Sequence, residues 1–381
     1  ANFPIPVSTY GSISDSDISA DGSIIAFAIP NLQLSGNSIP NSVFSLSWAQ
    51  SIASAQVQVD QPPSPPSGTA PTVGFIDLNQ DGQTELINAD SGKIKIVNPI
   101  SGVAISEYVP FPLFQGDIRV QSGDFDGNGF SEIVAAAGKG GAPHIVVYDP
   151  LTNQIRKSFF AYGSGFRGGI VVAVGDINHD GIADIVTGTG PGGGPHIRIF
   201  NGTNNEVISE FMAYAPEFRG GVSVALADVN QDGFLDIITG AGLGGGPHVK
   251  VFDGRNGSLL QSFFAYSTSF NGGIYVAAGD IDGNGQIDIV TGTGSGGGPH
   301  VQIFDLSHLD SPRSFFAYAS VFQGGVRIGL ADRNNDGTKD IITGAGPGGS
   351  PHVKIYDGRT FALIDTFFAG SFDDLSGVNV N

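Results

Sequence analysis

Four stretches of this chain align with one another at a fixed interval of 52 residues, which limits the fold to architectures assembled from copies of one unit. The segment from Gly169 reads GIVVAVGDINHDGIADIVTGTGPGGGPHIRIF, and that from Gly221 reads GVSVALADVNQDGFLDIITGAGLGGGPHVKVF. Further copies start at Gly273 and Gly325, and diverged copies lie near Asp124 and Asp77. Each unit carries an Asp cluster. The clusters begin at Asp77, Asp124, Asp176, Asp228, Asp280 and Asp332, at separations of 47, 52, 52, 52 and 52. A weaker cluster, Asp17-Ile18-Ser19-Ala20-Asp21-Gly22, stands 60 residues before Asp77 and raises the count to seven.

Within a unit, short Val-, Ile- and Phe-rich runs alternate with Gly, Asp and Asn, and long helical periodicity is missing, so the chain reads as all-β. In the unit at Asp176 the strands are expected at 169–174, 184–189, 196–200 and 207–214, with Asn201-Gly202 as a hairpin turn. Four strands in each such unit predict a seven-bladed β-propeller with four-stranded blades; a solenoid would show fewer strands in a shorter repeat. The whole of 1–381 is read as one propeller domain. Residues 1–70 form a diverged first blade plus a Pro/Ser-rich linker, 71–375 form six repeats, and 376–381 form a closing strand. One period beyond Gly325-Val326 lies Gly377-Val378, so Ser376–Asn381 has the pattern of an innermost strand for the first blade, with residues 17–60 supplying the rest. Val7–Ser14 competes for the same place. The surplus segment, around Phe3–Val7, is then available to dock on a second copy by strand addition, a head-to-tail contact that can propagate into a filament or sheath.

The Asp clusters follow Asp-x-Asp/Asn-x-Asp/Asn-Gly-x-x-Asp/Glu. The six sets are Asp77, Asn79, Asp81, Glu85; Asp124, Asp126, Asn128, Glu132; Asp176, Asn178, Asp180, Asp184; Asp228, Asn230, Asp232, Asp236; Asp280, Asp282, Asn284, Asp288; and Asp332, Asn334, Asp336, Asp340. Calcium is a hard cation that takes roughly six to eight oxygens, and alternating carboxylate and amide side chains around a tight loop can supply them. The glycine at the sixth place permits the sharp turn. The seventh-place carbonyl can add a ligand, and the ninth-place acid closes the loop from the following strand. Asp, Asn and Gly are also ordinary turn formers, but six copies that each keep the ninth-place acid favour about six calcium ions. Magnesium suits these loops less, because it prefers to keep its waters. The cluster at Asp17 has Ser19 at the third place and Ile25 at the ninth, so little or no calcium is expected there.

These motifs resemble the FG-GAP repeats of the integrin α-subunit propeller and related bacterial calcium-binding (VCBS-type) repeats. Phe218-Arg219-Gly220-Gly221 leads into Asp228–Asp236 and then Gly240-Ala241-Gly242, and Phe166, Phe270 and Phe322 open the neighbouring copies in the same way. The resemblance covers about Pro71 to the C-terminus, and the N-terminal 70 residues match poorly. It implies a seven-bladed propeller with calcium in the loops between the first and second strands, in an extracellular setting. No inserted metal-dependent adhesion domain is visible, so integrin ligand binding is not implied.

Other features narrow the function. The chain has no cysteine, so disulfides do not hold it. Its net charge of −19 argues against nucleic acid, and six divalent ions would offset twelve of those charges. No apolar run reaches the length of about eighteen residues needed to span a membrane. Residue 1 is alanine, which fits a mature secreted or cell-surface chain whose signal peptide has been removed. Pro-His recurs at His144, His196, His248, His300 and His352. A ring of contacts for a sugar or a second metal is one reading, and a structural start to the third strand is the favoured one. The Phe-Phe-Ala-Tyr runs ending at Tyr162, Tyr266 and Tyr318, and Phe211-Met212-Ala213-Tyr214, are expected to be core packing between blades. The Gly-Gly-Gly runs precede strands, not helices, so they do not form a phosphate cradle. No catalytic constellation stands apart from the repeated loops, so the chain is not expected to be an enzyme. The functions open to it are a non-catalytic module binding an extracellular partner or copies of itself, a calcium-dependent lectin for extracellular glycans, or an accessory domain of a larger extracellular enzyme.

Overall fold

The computed structural model describes residues 69–78, 84–98 and 101–381, together with backbone strands between residues 15 and 47. The chain divides into two compact units, Ala1–Pro63 and Ser64–Asn381. In the first, Asp15–Ile18, Ile24–Ile29 and Ser42–Ser47 form a three-stranded antiparallel sheet, and Gln33–Leu34 pairs with Asn37–Ser38.

The second unit is a β-propeller of six four-stranded antiparallel blades. The innermost strands are Thr72–Ile76, Ile118–Gly123, Ile170–Gly175, Val222–Ala227, Ile274–Gly279 and Val326–Ala331. In the third blade the strands are Ile170–Gly175, Asp184–Thr189, His196–Phe200 and Val207–Met212, within two residues of the expected bounds. From the second blade onward the second strand is buried along its whole length, because neighbouring blades cover both of its faces. That is why these strands read as continuous runs such as Asp-Ile-Val-Thr-Gly-Thr, without polar alternation.

The expectation of seven blades is not met. The strands described between residues 15 and 47 form sheets of their own, and the C-terminal strand Asn379–Val380, expected to complete a blade with residues 17–60, is not in those sheets. It pairs in parallel with Thr72–Ile76, as a fifth strand on the inner edge of the first blade. Asn379 N donates to Pro71 O at 2.7 Å and Asn381 N to Val73 O at 3.0 Å. The position read from the period is nevertheless kept. Gly377 repeats the left-handed backbone of Gly325 (φ 75° and 76°), and Val378 N donates to Ala345 O at 2.9 Å, so the segment packs on the sixth blade as a next innermost strand would. The strand thus serves as a wedge between the sixth and first blades. Val378 and Val380 share a buried cluster with Ile342, Val353 and Ile355 of the sixth blade and Val73 of the first. The proposed competitor Val7–Ser14 and the docking segment Phe3–Val7 lie outside the described residues.

Neighbouring blades are joined by the repeated aromatic runs. Phe159, Phe211, Phe263 and Phe315 pack on Phe200, Phe252, Phe304 and Tyr356 of the following blade at centroid distances of 5.1, 4.7, 4.9 and 4.8 Å. The tyrosine three residues on crosses the same junction: Tyr214 Oη donates to His248 O at 2.8 Å and Tyr266 Oη to His300 O at 2.8 Å. Burial pushes these phenols far above their ordinary range. Close approach also needs Gly221. Its φ is +78°, and a Cβ there would meet Gly190 C at 2.6 Å, so any side chain would push adjacent blades apart.

Candidate metal centre

Each Asp loop joins an innermost strand to the second strand of its blade. In the third blade Asp176 follows Gly175, and Asp184 opens the second strand opposite Gly175. Asp176 Oδ2 accepts from Gly181 N at 2.9 Å, Asn178 Oδ1 from Asp180 N at 2.9 Å, and Asp180 Oδ1 from Ile182 N at 2.9 Å. The loops at Asp228 and Asp332 repeat these bonds. Asp77 and Glu85 belong to the described residues, with Leu78 N donating to Glu85 Oε2 at 2.8 Å, whereas Asn79 and Asp81 lie outside them.

The left-handed residue at the sixth place was legible from its glycine. A second one, at the fourth place, was not. Gly127, His179, Gln231, Gly283 and Asn335 all have φ between 56° and 78°, and the only sequence signal was the glycine in two of the loops. Where the residue has a side chain, it can reach forward to the next loop: Gln231 Nε2 donates to Gly285 O at 2.7 Å, and His179 Nε2 bonds Gly233 O.

The ninth-place acids are the buried members of the sets. Glu85, Glu132, Asp184, Asp236, Asp288 and Asp340 are each at most 3% exposed. Asp184 accepts from Ile177 N at 3.1 Å and, through its other oxygen, from Gly202 N at 2.8 Å, which ties the loop to the turn between the third and fourth strands. Burial raises the Glu132, Asp184, Asp236 and Asp340 carboxyls above their ordinary range. Asp288 is the extreme: burial, reinforced by the charge of Asp282, pushes it up to about 6. Its Oδ2 is buried and has no hydrogen-bond partner, with Arg313 Nη2 3.6 Å away as its ion-pair partner.

Two loops bring three acids together. Asp124, Asp126 and Glu132 form one group, and Asp280, Asp282 and Asp288 the other, each with one oxygen per residue within 4.8 Å of the others. In the loops at Asp176, Asp228 and Asp332 the third place is Asn, which donates to the fifth-place Asp at 3.0, 2.9 and 3.1 Å. An all-oxygen donor set that includes a buried carboxylate oxygen without a hydrogen bond fits a hard divalent cation. The sequence reading missed the arginines that face these acids. Arg255 Nη2 lies 2.6 Å from Asp232, Arg156 Nη2 3.3 Å from Asp126, Arg313 Nη2 3.4 Å from Asp282, and Arg359 Nη1 3.5 Å from Asp336. They stand at or beside the turn after the third strand, where a lone Arg carries no motif.

Each Pro-His opens the third strand of its blade. His248 Nε2 bonds Ser262 Oγ at 2.8 Å, its ring stacks on Phe264 at 4.6 Å, and its carbonyl receives Tyr214. His300 and His352 stack in the same way on Phe316 and Phe368, and His144 meets Phe160 at a tilt.

The raised carboxyl of Asp288 gives a signed expectation. Its folded value of about 6 lies above its ordinary value of 3.8, so without a cation the stability tied to its protonated form is present at low pH and lost as pH rises through about 6. Asp288→Asn should therefore stabilise the chelator-treated protein at neutral pH by about 1–2 kcal/mol, allowing for solvent screening, and should flatten its stability between pH 4 and 6. In calcium the same change should destabilise. Denaturant melts at both pH values with and without calcium would show this; an equal effect in both conditions would contradict it.

The profile of the FG-GAP-like repeat matches residues 176–239, and that of the FG-GAP repeat matches residues 220–259. Among curated proteins, integrin alpha-7 of Mus musculus is 26% identical over 223 residues, covering 52% of this chain and 18% of its own length. Integrin alpha pat-2 of Caenorhabditis briggsae is 29% identical over 224 residues (46% of this chain, 18% of its own length), and integrin alpha-V of Gallus gallus is 28% identical over 200 (51% and 16%). The chain thus spans less than a fifth of the length of these relatives. Among solved structures, the Dos1 propeller aligns with 98% of this chain and 87% of its own at a TM-score of 0.46 and 13% identity. BBS1N, solved in complex with ARL6DN, aligns with 81% and 84% at 0.48 and 16%. The profile matches over residues 176–259 and the integrin alpha relatives support an FG-GAP repeat protein. Its propeller resembles that of the integrin α subunits.

Proposed function

We propose that this chain is a non-catalytic adhesion-type module of the cell exterior whose Asp loops bind calcium and stiffen the face of the propeller on which they lie. The observation that carries the reading is the convergence of Asp280, Asp282 and the buried Asp288, whose Oδ2 has no hydrogen-bond partner and is faced by Arg313 Nη2 at 3.6 Å. A cation there would coordinate these oxygens directly and offset the mutual repulsion of three carboxylates, which the single charge of Arg313 balances only in part. The likeness to integrin α subunits supports an extracellular protein as the partner, and no helix among the described residues is long and apolar enough to cross a membrane. Assembly with further copies by strand addition depends on Phe3–Val7.

The test is equilibrium dialysis against radioactive calcium. About six ions per chain are expected, with Glu132→Gln and Asp288→Asn each losing one. Absence of stoichiometric uptake would remove the calcium reading. A lectin is the second reading, favoured by Phe264, Phe316 and Phe368, which stay 44–53% exposed while stacked on their histidines. An exposed ring with one face open can take the apolar face of a sugar. Binding on a glycan array that disappears in Phe264→Ala and Phe316→Ala would favour it over a protein partner.

A further inference from the structure

The innermost strands surround a channel of about 750 Å³. Its charged lining side chains are those of Asp117, Arg119, Lys139 and Arg327, three cations and one anion in a chain whose overall charge is strongly negative; Asn381 also lines it. Arg119 and Arg327 occupy the same register place in the second and sixth blades, each four residues before the residue that faces the ninth-place acid. The corresponding places in the third and fourth blades hold Val171 and Ser223, so the arginines are not dictated by the repeat.

Arg119 is ion-paired with Asp117 at 3.2 Å. Arg327 is different. It is 92% buried, its Nη1 donates to Ala345 O at 3.0 Å and Val378 O at 3.1 Å, and its Nε has no partner. No ion pair among the described residues involves it. Tyr275, from the fifth blade, places its ring 5.9 Å from the guanidinium carbon. Two carbonyls and an aromatic face orient a guanidinium but do not neutralise it, and a buried charge without a counter-ion is costly. Guanidinium is also the group best matched in shape to a carboxylate, which it can hold through two parallel N–H donors.

We infer that the channel is a carboxylate-binding site, with Arg327 as the anchoring cation and Arg119 as the second charge. The ligand class is a small organic carboxylate or an acidic side chain inserted into the channel; both present the same group to Arg327. The site is separate from the Asp loops, which begin beyond the far ends of the innermost strands from these arginines. It therefore does not depend on the calcium reading.

The test uses the full chain in calcium buffer, labelled with 15N-arginine, titrated with acetate and with the capped peptide acetyl-Gly-Asp-Gly-amide against matched sodium chloride. The Arg327 Nε–H resonance, assigned from Arg327→Gln, is expected to shift saturably with the carboxylates and not with chloride. Tighter binding of the peptide would point to a partner's acidic side chain, and equal or tighter binding of acetate to a free small carboxylate. Arg327 also holds two carbonyls, so its loss can disturb ring closure. Arg119→Gln is therefore the second variant, expected to weaken binding about tenfold while Arg119→Lys restores much of it. A shift that chloride reproduces, no saturable shift with either probe, or an Arg119→Gln affinity equal to wild type would overturn the proposal.

Discussion

Transfer from millimolar calcium into excess chelator is expected to lower the melting temperature by on the order of 20 °C. An ion that binds only the native state stabilises it by roughly 2.7 kcal/mol for each site at a hundredfold excess over Kd, and the loops offer several sites. The native fold has already concentrated the charge that makes this effect large, since Asp280, Asp282 and Asp288 converge with one of the three buried. Magnesium at equal concentration should recover only part of the loss, because it gives up its waters reluctantly. Differential scanning calorimetry in calcium, magnesium and chelator would measure the series. A melting temperature that ignores the chelator would mean that the loops are held by their own Asx-type hydrogen bonds and by the facing arginines.

Removal of residues 376–381 is expected to cost about 3–6 kcal/mol, more than any single loop substitution. The estimate rests on Val378 and Val380, which are 0% and 6% exposed, each contributing about 1.5–3 kcal/mol by burial. Truncation also strips Thr72–Ile76 of its parallel partner and leaves a sheet edge facing the sixth blade. A milder variant, Val378→Ala, should show the same direction at smaller size. The readout is a denaturant melt in calcium. A truncated chain as stable as the intact one would mean that the first and sixth blades close on each other without the wedge.

Much of this architecture was legible because the repeat states each element several times. The second strand at Asp184, the third at His196, the buried tyrosines and the strand-opening Pro-His residues followed from period, alternation and turn chemistry. The blade count did not. The cluster at Asp17 resembles the others enough to be counted, but blade number is decided by what packs between the last blade and the first, and here a single strand fills that gap in parallel. Periodicity places Val378 on the sixth blade without saying which strand it will bond on its other side. The facing arginines were equally hidden, since Arg156, Arg255, Arg313 and Arg359 meet the Asp loops only after the third strand has folded back. Burial of the ninth-place acids could have been anticipated from their position at the head of a strand covered on both faces.

The wedge also orders events in time. Hydrogen bonds within a blade join residues close in sequence, whereas Asn379 bonds Thr72 across 307 positions. Contacts of such separation form late, because the intervening chain must be ordered before they bring any gain. During synthesis the first blade emerges with its inner edge unpartnered and stays so until residues 377–381 are made. The interval is one in which a sheet edge of a nascent chain is open to another chain. Slow translation through the later repeats would lengthen that interval, and co-expression of a short peptide carrying Gly377–Asn381 would be expected to compete for the same edge.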